Sequence, residues 1–194
     1  MDNMFCGCTS LETLNVLDFK TKQVTSMERM FFDCQPLKSL DLSSFNTINV
    51  KNMNKMFGNC TSLNILDLSK FNTENANYMF SMFQNCTSLF FINLLSVKTK
   101  KVIDMAYMFY NCNSLKSLHI SYFEINDKTN IENMFHKCNN LEYLYISKYI
   151  ITNSINMDSM FDNHKPYILV EISDNGSKNS IIMNIETFNK SKKK

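Results

Sequence analysis

One feature constrains this chain more than any other. A Met-Phe pair recurs at Met4-Phe5, Met30-Phe31, Met56-Phe57, Met82-Phe83, Met108-Phe109, Met134-Phe135 and Met160-Phe161, always 26 residues apart. Three residues after each Phe stands Cys8, Cys34, Cys60, Cys86, Cys112 or Cys138, with His164 in the seventh copy. No insertion breaks the period. A unit of this size cannot bury its apolar face alone, so the pattern predicts a solenoid whose repeats complete their core on their neighbours. The 194 residues are therefore one continuous array rather than one or two globular domains.

Within the third copy, Val50, Met53, Met56, Phe57 and Cys60 follow the stripe of a helix with one buried face. Asn49 stands where a cap belongs, and Asn75, Asp127 and Asn153 match it. Asn59, Asn85, Asn111 and Asn163 sit at the other end, and Asn tolerates the left-handed conformation that stops helices. The spacing thus predicts a helix of roughly ten residues per repeat. Leu66 and Leu68 then alternate with Asp67, the period of a strand with one buried face. Its copies are Leu14 to Val16, Leu40 to Leu42, Ile92 to Leu94, Leu118 to Ile120, Leu144 to Ile146 and Val170 to Ile172. A bend follows, with Phe71 as a second core rung matched by Phe19, Phe45, Val97, Phe123 and Tyr149. Strand, bend, helix, strand implies an α/β solenoid wound right-handed, with a parallel sheet on one side and short helices on the other.

These residues also carry a family likeness. Leu-x-x-Leu-x-Leu is the strand half of a leucine-rich repeat. The fuller run Met-Phe-x-x-Cys-x-Ser-Leu-x-x-Leu-Asp-Leu-Ser-x-Phe-x-Thr-x-x-Val-x-x-Met resembles the BspA-like leucine-rich repeat of bacterial and protist surface proteins. The same repeat occurs as a domain of unknown function in mycoplasma lipoproteins. The likeness covers nearly the whole chain and departs from the pattern at Thr129 to Ile131 and at His164, Pro166 and Tyr167. It implies a noncatalytic module at a cell surface or in secretion, engaging a host protein, a matrix protein or another cell.

Composition narrows the alternatives. A net charge of +2 gives no general pull toward nucleic acid. No apolar run is long enough to span a bilayer as a helix. The first residues, Met1 to Phe5, show neither the basic start nor the apolar block of a secretory signal, which keeps a cytoplasmic scaffold or effector open beside the surface reading. The histidines His119, His136 and His164 sit in no metalloprotease motif, and neither a nucleophile elbow nor a phosphate loop is present, so no enzyme, cofactor or metal is expected. Six of the seven cysteines share one repeat position. Parallel neighbours lie about 4.8 Å apart and point the same way, whereas a disulfide needs Cβ atoms about 3.8 Å apart. Free buried thiols are expected.

Met1 falls in register with Met27 and Met53, so the sequence begins inside a repeat, which suggests a fragment of a longer protein or an abrupt start. The array is expected to run over residues 1–173 as about seven repeats. Residues 174–188 are expected to cap it, with Asp174-Asn175-Gly176 as a turn into a returning strand, or as a helix through Ile181, Ile182, Ile185 and Phe188. Residues 189–194 read as a Lys-rich disordered tail.

Outward strand positions are the candidates for function, because the core does not dictate them. One row runs Asn15, Asp41, Asp67, Asn93, His119, Tyr145, Glu171, and the next runs Thr13, Ser39, Ile65, Phe91, Ser117, Tyr143, Leu169. Ile65, Asp67, Phe91, Asn93, His119, Tyr143 and Tyr145 form the expected partner-binding patch, with Lys116 at its rim and a protein or a glycan as ligand. The opposite side, carrying Lys51, Asn52, Asn54 and Lys55, is expected to be a solvated helix surface.

Overall fold

The computed structural model describes residues 1–147, 157–161, 167–174 and 177–183. The strand alternation read from the sequence appears as short parallel strands: β1 (Ile65–Asp67), β2 (Phe91–Asn93), β3 (Ser117–Ile120), β4 (Tyr143–Ser147) and β5 (Tyr167–Asp174). β6 (Ser177–Met183) runs antiparallel to β5. β1 pairs β2, and β3 to β6 form a second open sheet in chain order. The equivalent segments Leu14 to Val16 and Leu40 to Leu42 form no ladder. Isolated bridges join Ser26, Asn52, Tyr78, Asp104 and Asn130 in series, one per repeat. The chain is therefore a stack of repeats built from short strands, turns and bends.

Among the described residues, the α-helix expected in each repeat does not form. Among the described residues the only helical element is a 3-10 turn at Met157–Met160. In its place lies a run of tight turns. Met56, Gly58 and Cys60 donate their N–H groups three residues back, to Met53, Lys55 and Phe57, at 3.2, 3.1 and 3.2 Å. The alternate amides Met53, Lys55, Phe57 and Asn59 donate to the next coil, at Tyr78, Phe80, Met82 and Gln84, at 2.9, 2.9, 3.0 and 2.7 Å. Half the backbone donors thus close turns and half join coils, where an α-helix would spend them all within itself.

The reason is conformational. Lys55 and Asn59 have φ of +55 and +62, as do their equivalents Arg29, Asp33, Ser81, Asn85, Tyr107, Asn111, Asn133 and Lys137 within a narrow range. Each is the third residue of a four-residue turn, the place where a type II turn requires a left-handed residue. A chain that turns left-handed every fourth residue cannot propagate an α-helix. The stripe Met53, Met56, Phe57 and Cys60 still points inward and is fully buried, because a spiral of turns returns to the same side about every three residues, as a helix does. Asn49 and Asn75 do not cap anything. Their amides donate to the Lys22 and Ile48 carbonyls of the preceding coil at 2.8 and 2.9 Å. Asn153, Asn163, Tyr149, His164 and the expected tail lie outside the described residues.

Side chains repeat the same logic. Phe5, Phe31, Phe57, Phe83, Phe109, Phe135 and Phe161 form one stack, with successive centroids 5.5, 5.6, 5.6, 5.1, 5.6 and 5.5 Å apart and rings within 22° of parallel. Phe45, Phe71, Val97 and Phe123 make the second buried rung. Thr21, Thr47, Thr73 and Thr99 are buried, and each hydroxyl both donates to and accepts from one residue of the next coil; Thr73 Oγ1 meets the Lys98 carbonyl and the Lys98 N–H, both at 2.8 Å. A buried hydroxyl without such partners costs about 1–3 kcal/mol. Asn59, Asn85 and Asn111 form an amide ladder, with Asn85 Nδ2 donating to Asn59 Oδ1 and Asn111 Nδ2 to Asn85 Oδ1, both at 2.9 Å.

All seven cysteines are free, and five are buried. Each buried thiol donates to the Phe carbonyl of the preceding coil, as Cys60 does to Phe31 and Cys86 to Phe57 at 3.1 Å. Burial pushes the thiols up from their ordinary value of 9.0, Cys34 to about 11 and Cys86 to about 12, with Cys60 and Cys112 also raised.

Two outcomes follow from this core. Phe57→Ala is expected to cost about 3–5 kcal/mol of unfolding free energy in urea, and Phe5→Ala much less, since Phe57 is fully buried and Phe5 only partly; equal losses would contradict the stack. The raised thiols stabilise the fold fully below pH 9 and lose that contribution as pH climbs toward 11 and 12, because the unfolded chain ionises first. The urea midpoint should fall above pH 9, and Cys60→Ala with Cys86→Ala should flatten the fall; a midpoint unchanged up to pH 11 would speak against buried thiols.

Candidate functional site

Strand alternation puts the expected patch on one side. Leu66, Ile92, Leu118 and Leu144 point into the core and are buried. Between them Ile65 pairs Phe91, and both are about half exposed, at 48% and 52%. Ser117 pairs Tyr143, and His119 pairs Tyr145. The His119 and Tyr145 rings lie parallel, 3.8 Å apart and 5° from coplanar. Tyr143 stacks on Tyr167 at 6.1 Å. Phe90 and Tyr122 add further exposed aromatic surface.

The patch is not the uninterrupted set of strands that the repeat suggests. The ladder breaks between β2 and β3 among the described residues. The small Ser117 occupies the row position between Phe91 and Tyr143. Ile65 and Phe91 therefore form one apolar group, and His119, Tyr143, Tyr145 and Tyr167 form another. The row also slips at its end. Phe161 follows Phe135 by 26 residues, yet Tyr167 pairs Tyr143 at a separation of 24. Tyr145 accordingly pairs Leu169, and the expected partner Glu171 pairs Ser147.

Asp67 and Asn93 have a different occupation. Asp67 Oδ1 accepts the Ser69 N–H at 2.8 Å, and Asn93 Oδ1 accepts the Leu95 N–H at 3.2 Å. Asn15 and Asp41 do the same for Leu17 and Ser43. The Asp41 carboxyl is held below the usual carboxylate range by the Ser43 side chain and backbone. This row is an Asx turn in four successive repeats, which explains the preference for Asp or Asn without a ligand. The sequence signal was there, an Asp or Asn at the strand end with a bend two residues on, but strand alternation alone does not read it.

The opposite side is not a solvated helix surface. Arg29 lies over the Phe32 ring at 5.4 Å, Lys55 Nζ over Phe80 at 5.5 Å and Lys137 Nζ over Tyr110 at 5.3 Å. Phe80, Tyr107, Tyr110 and His136 touch in series at 5.9, 5.7 and 5.5 Å. Asn133 Nδ2 donates to the Tyr107 hydroxyl at 3.0 Å. Gly58 leaves room for the Phe32 ring, since a Cβ there would meet it at 3.0 Å. Turn positions one coil apart bring these residues together, a relation that the helical reading hid. Cations thus lie over the Phe32, Phe80 and Tyr110 rings, while Tyr78 and Ile103 on the same side remain 42% and 49% exposed.

The chemistry available on the strand side is contact chemistry: apolar and aromatic surface beside neutral or turn-bound polar groups. Among the described residues, no three His, Cys, Asp or Glu side chains are placed to hold a metal ion, and no helix is long and apolar enough to cross a membrane.

Comparison with known proteins adds one match. No curated protein and no solved structure matches the chain significantly. The family model described as Mycoplasma protein of unknown function, DUF285, matches twice, over residues 1–118 and 89–193. The two matches overlap, as they must where one period runs through both, and together they span almost the entire sequence. The chain belongs to the DUF285 family of Mycoplasma proteins of unknown function.

Proposed function

We propose that the chain is a noncatalytic binding module whose strand side engages a protein partner. One observation carries the reading. Ile65, Phe91, Tyr143 and Tyr167 hold large apolar side chains outward, each between 38% and 56% exposed, and no hydrogen bond or core packing requires those residue types there. An apolar centre beside polar groups such as Asp67, Asn93 and Lys116 has the anatomy of a protein contact. Tyr is among the residues that most often carry binding energy.

The finer reading extends this one. The strand motif Leu-x-x-Leu-x-Leu and the repeat around it support a leucine-rich repeat of the BspA-like kind. With it comes a surface or secreted location and a role in adhesion to a host, matrix or cell-surface protein. The aromatic centre also suits a glycan, whose ring hydrogens pack on aromatic faces. A second reading, an intracellular scaffold with a protein partner, is favoured by the seven free thiols, which fit a reducing compartment.

The test is binding of the purified chain to immobilised matrix proteins, a glycan panel and cultured host cells. Phe91→Ser with Tyr143→Ser should weaken binding to the matrix protein or cell that scores at least about tenfold and leave the circular dichroism spectrum unchanged. Lys51→Glu, on the turn side, should leave both the binding and the spectrum unchanged. Binding that survives the strand-side change and fails on the turn-side change would overturn the assignment of the face. Binding to nothing in the three panels would reject the adhesion reading.

A further inference from the structure

Main-chain bonds tie the strand side together in pairs. Phe90 and Phe91 both donate to the Asn64 carbonyl of the preceding coil, at 3.0 and 3.4 Å. Two coils on, Glu142 and Tyr143 both donate to the Lys116 carbonyl, at 2.8 and 3.1 Å. Between β2 and β3 the counterpart does not form: the N–H groups of Lys116 and Ser117 do not reach the Phe90 carbonyl. The turn side of the same junction is closed. Ser81, Phe83 and Asn85 donate across it to Ala106, Met108 and Tyr110 at 2.9, 2.8 and 2.8 Å, and the Phe83 and Phe109 centroids are 5.1 Å apart. These two coils are therefore joined on the turn side and parted on the strand side.

The surroundings make a notch of the opening. Ser117 is small and exposed, in a row that has Phe91 one coil before it and Tyr143 one coil after it. Phe91 and Tyr143 thus stand two strand spacings apart, about 10 Å. Among the described residues, the Tyr143 ring contacts Tyr167 and not Phe91, so the space between these two walls takes one further ring. Its floor carries two successive N–H groups that converge, as the neighbouring pairs do, on the place of a single oxygen. Successive main-chain N–H groups form a concavity suited to an anion, and the same two residues bring an ammonium and a hydroxyl. Glu142 stands one coil beyond Lys116, on the side away from the opening. The first junction of the stack lacks the paired bonds as well, but Thr13 and Ser39 raise no walls there.

We propose that this notch binds an acidic sugar residue, a pyranose ring carrying a carboxylate. The proposal rests on the strand side being the binding side and names the ligand of one place on it. The carboxylate accepts from the Lys116 and Ser117 N–H groups, where the Phe90 carbonyl falls short, and the Lys116 ammonium balances its charge. Bonds to a charged acceptor are the stronger kind. The sugar ring lies between Phe91 and Tyr143, with its C–H groups against their faces. A neutral sugar meets the walls and leaves the floor without a charge. An acidic protein side chain meets the floor and leaves walls about 10 Å apart with no ring between them.

The experiment follows the amide spectrum of the isotope-labelled full chain during titration with methyl β-glucuronide, methyl β-glucoside and N-acetylglutamate N-methylamide. The glucuronide should shift the Lys116 and Ser117 amides saturably, with an affinity at least about tenfold above that of the other two probes. Ser117→Phe, which fills the notch, should abolish the shift and leave the distant amides in place. Glu142→Gln, which removes a negative charge next to Lys116, should tighten binding. Equal affinity for the glucoside would mean that the carboxylate is not read, and tighter binding of the glutamate amide would make the notch a seat for an acidic protein side chain. Either result overturns the proposal, as does the absence of a saturable shift with the glucuronide. The strand-side reading fails separately, when Phe91→Ser with Tyr143→Ser leaves binding to the matrix protein or cell intact; a glucuronide shift in the original chain would then still support the notch.

Discussion

The structure depends on how its turn segment divides its backbone donors. A helix satisfies itself and then packs. The spiral of turns at Met53 to Cys60 leaves every second N–H pointing along the stack, where the next coil supplies the carbonyl. Coil-to-coil cohesion is thus partly hydrogen bonding by the main chain, on the side opposite the strands as well as on the strand side. The left-handed residues are the cost. A non-glycine residue in that region is disfavoured by roughly 1–2 kcal/mol, and eleven such residues occur among those described. Six of the eleven are Asn or Asp, the types that tolerate the conformation best, and Asn59, Asn85 and Asn111 recover further energy in their amide ladder.

Once the coils are held one period apart, every repeated side chain meets its own copy. That makes self-compatibility the rule for the sequence. Phe meets Phe face to face. Thr meets the peptide of the next coil as both donor and acceptor. A thiol meets the carbonyl of the preceding Phe, a small polar contact that lets Cys fill a buried slot without a disulfide. Charges are poor at this game, since like charges would stack on like. Among the described residues the buried rungs contain none, and two ion pairs between side chains, Glu12 with Lys38 and Glu74 with Lys98, are exposed and join adjacent coils through residues of opposite sign.

Much of this was legible in the chain. The period of 26 gave the stack, and the apolar positions gave the inward residues correctly at Met53, Met56, Phe57 and Cys60. The conformation joining them was not legible from that stripe, because helix and turn spiral share a spacing near three. The left-handed conformation expected at Asn59, Asn85 and Asn111 is present, but the left-handed residues in mid-segment, Arg29, Lys55, Ser81 and Tyr107, have side chains that do not signal it. On the strand side, alternation placed Ile65, Phe91, His119, Tyr143 and Tyr145 on one face. It did not reveal that Asp67 and Asn93 are committed to the bend that follows them. Nor did the Met-Phe period reveal that the last strand pairs with a shift of two residues while the Phe stack keeps its period.

The most direct measurement is the pattern of through-hydrogen-bond couplings in the nuclear magnetic resonance spectrum of the third coil. The account requires the amides of Lys55, Phe57 and Asn59 to couple to the carbonyls of Phe80, Met82 and Gln84 in the following coil. It requires Met56 and Cys60 to couple three residues back, to Met53 and Phe57. Coupling of Phe57 to Met53 and of Cys60 to Met56, the ladder of an α-helix, would contradict it.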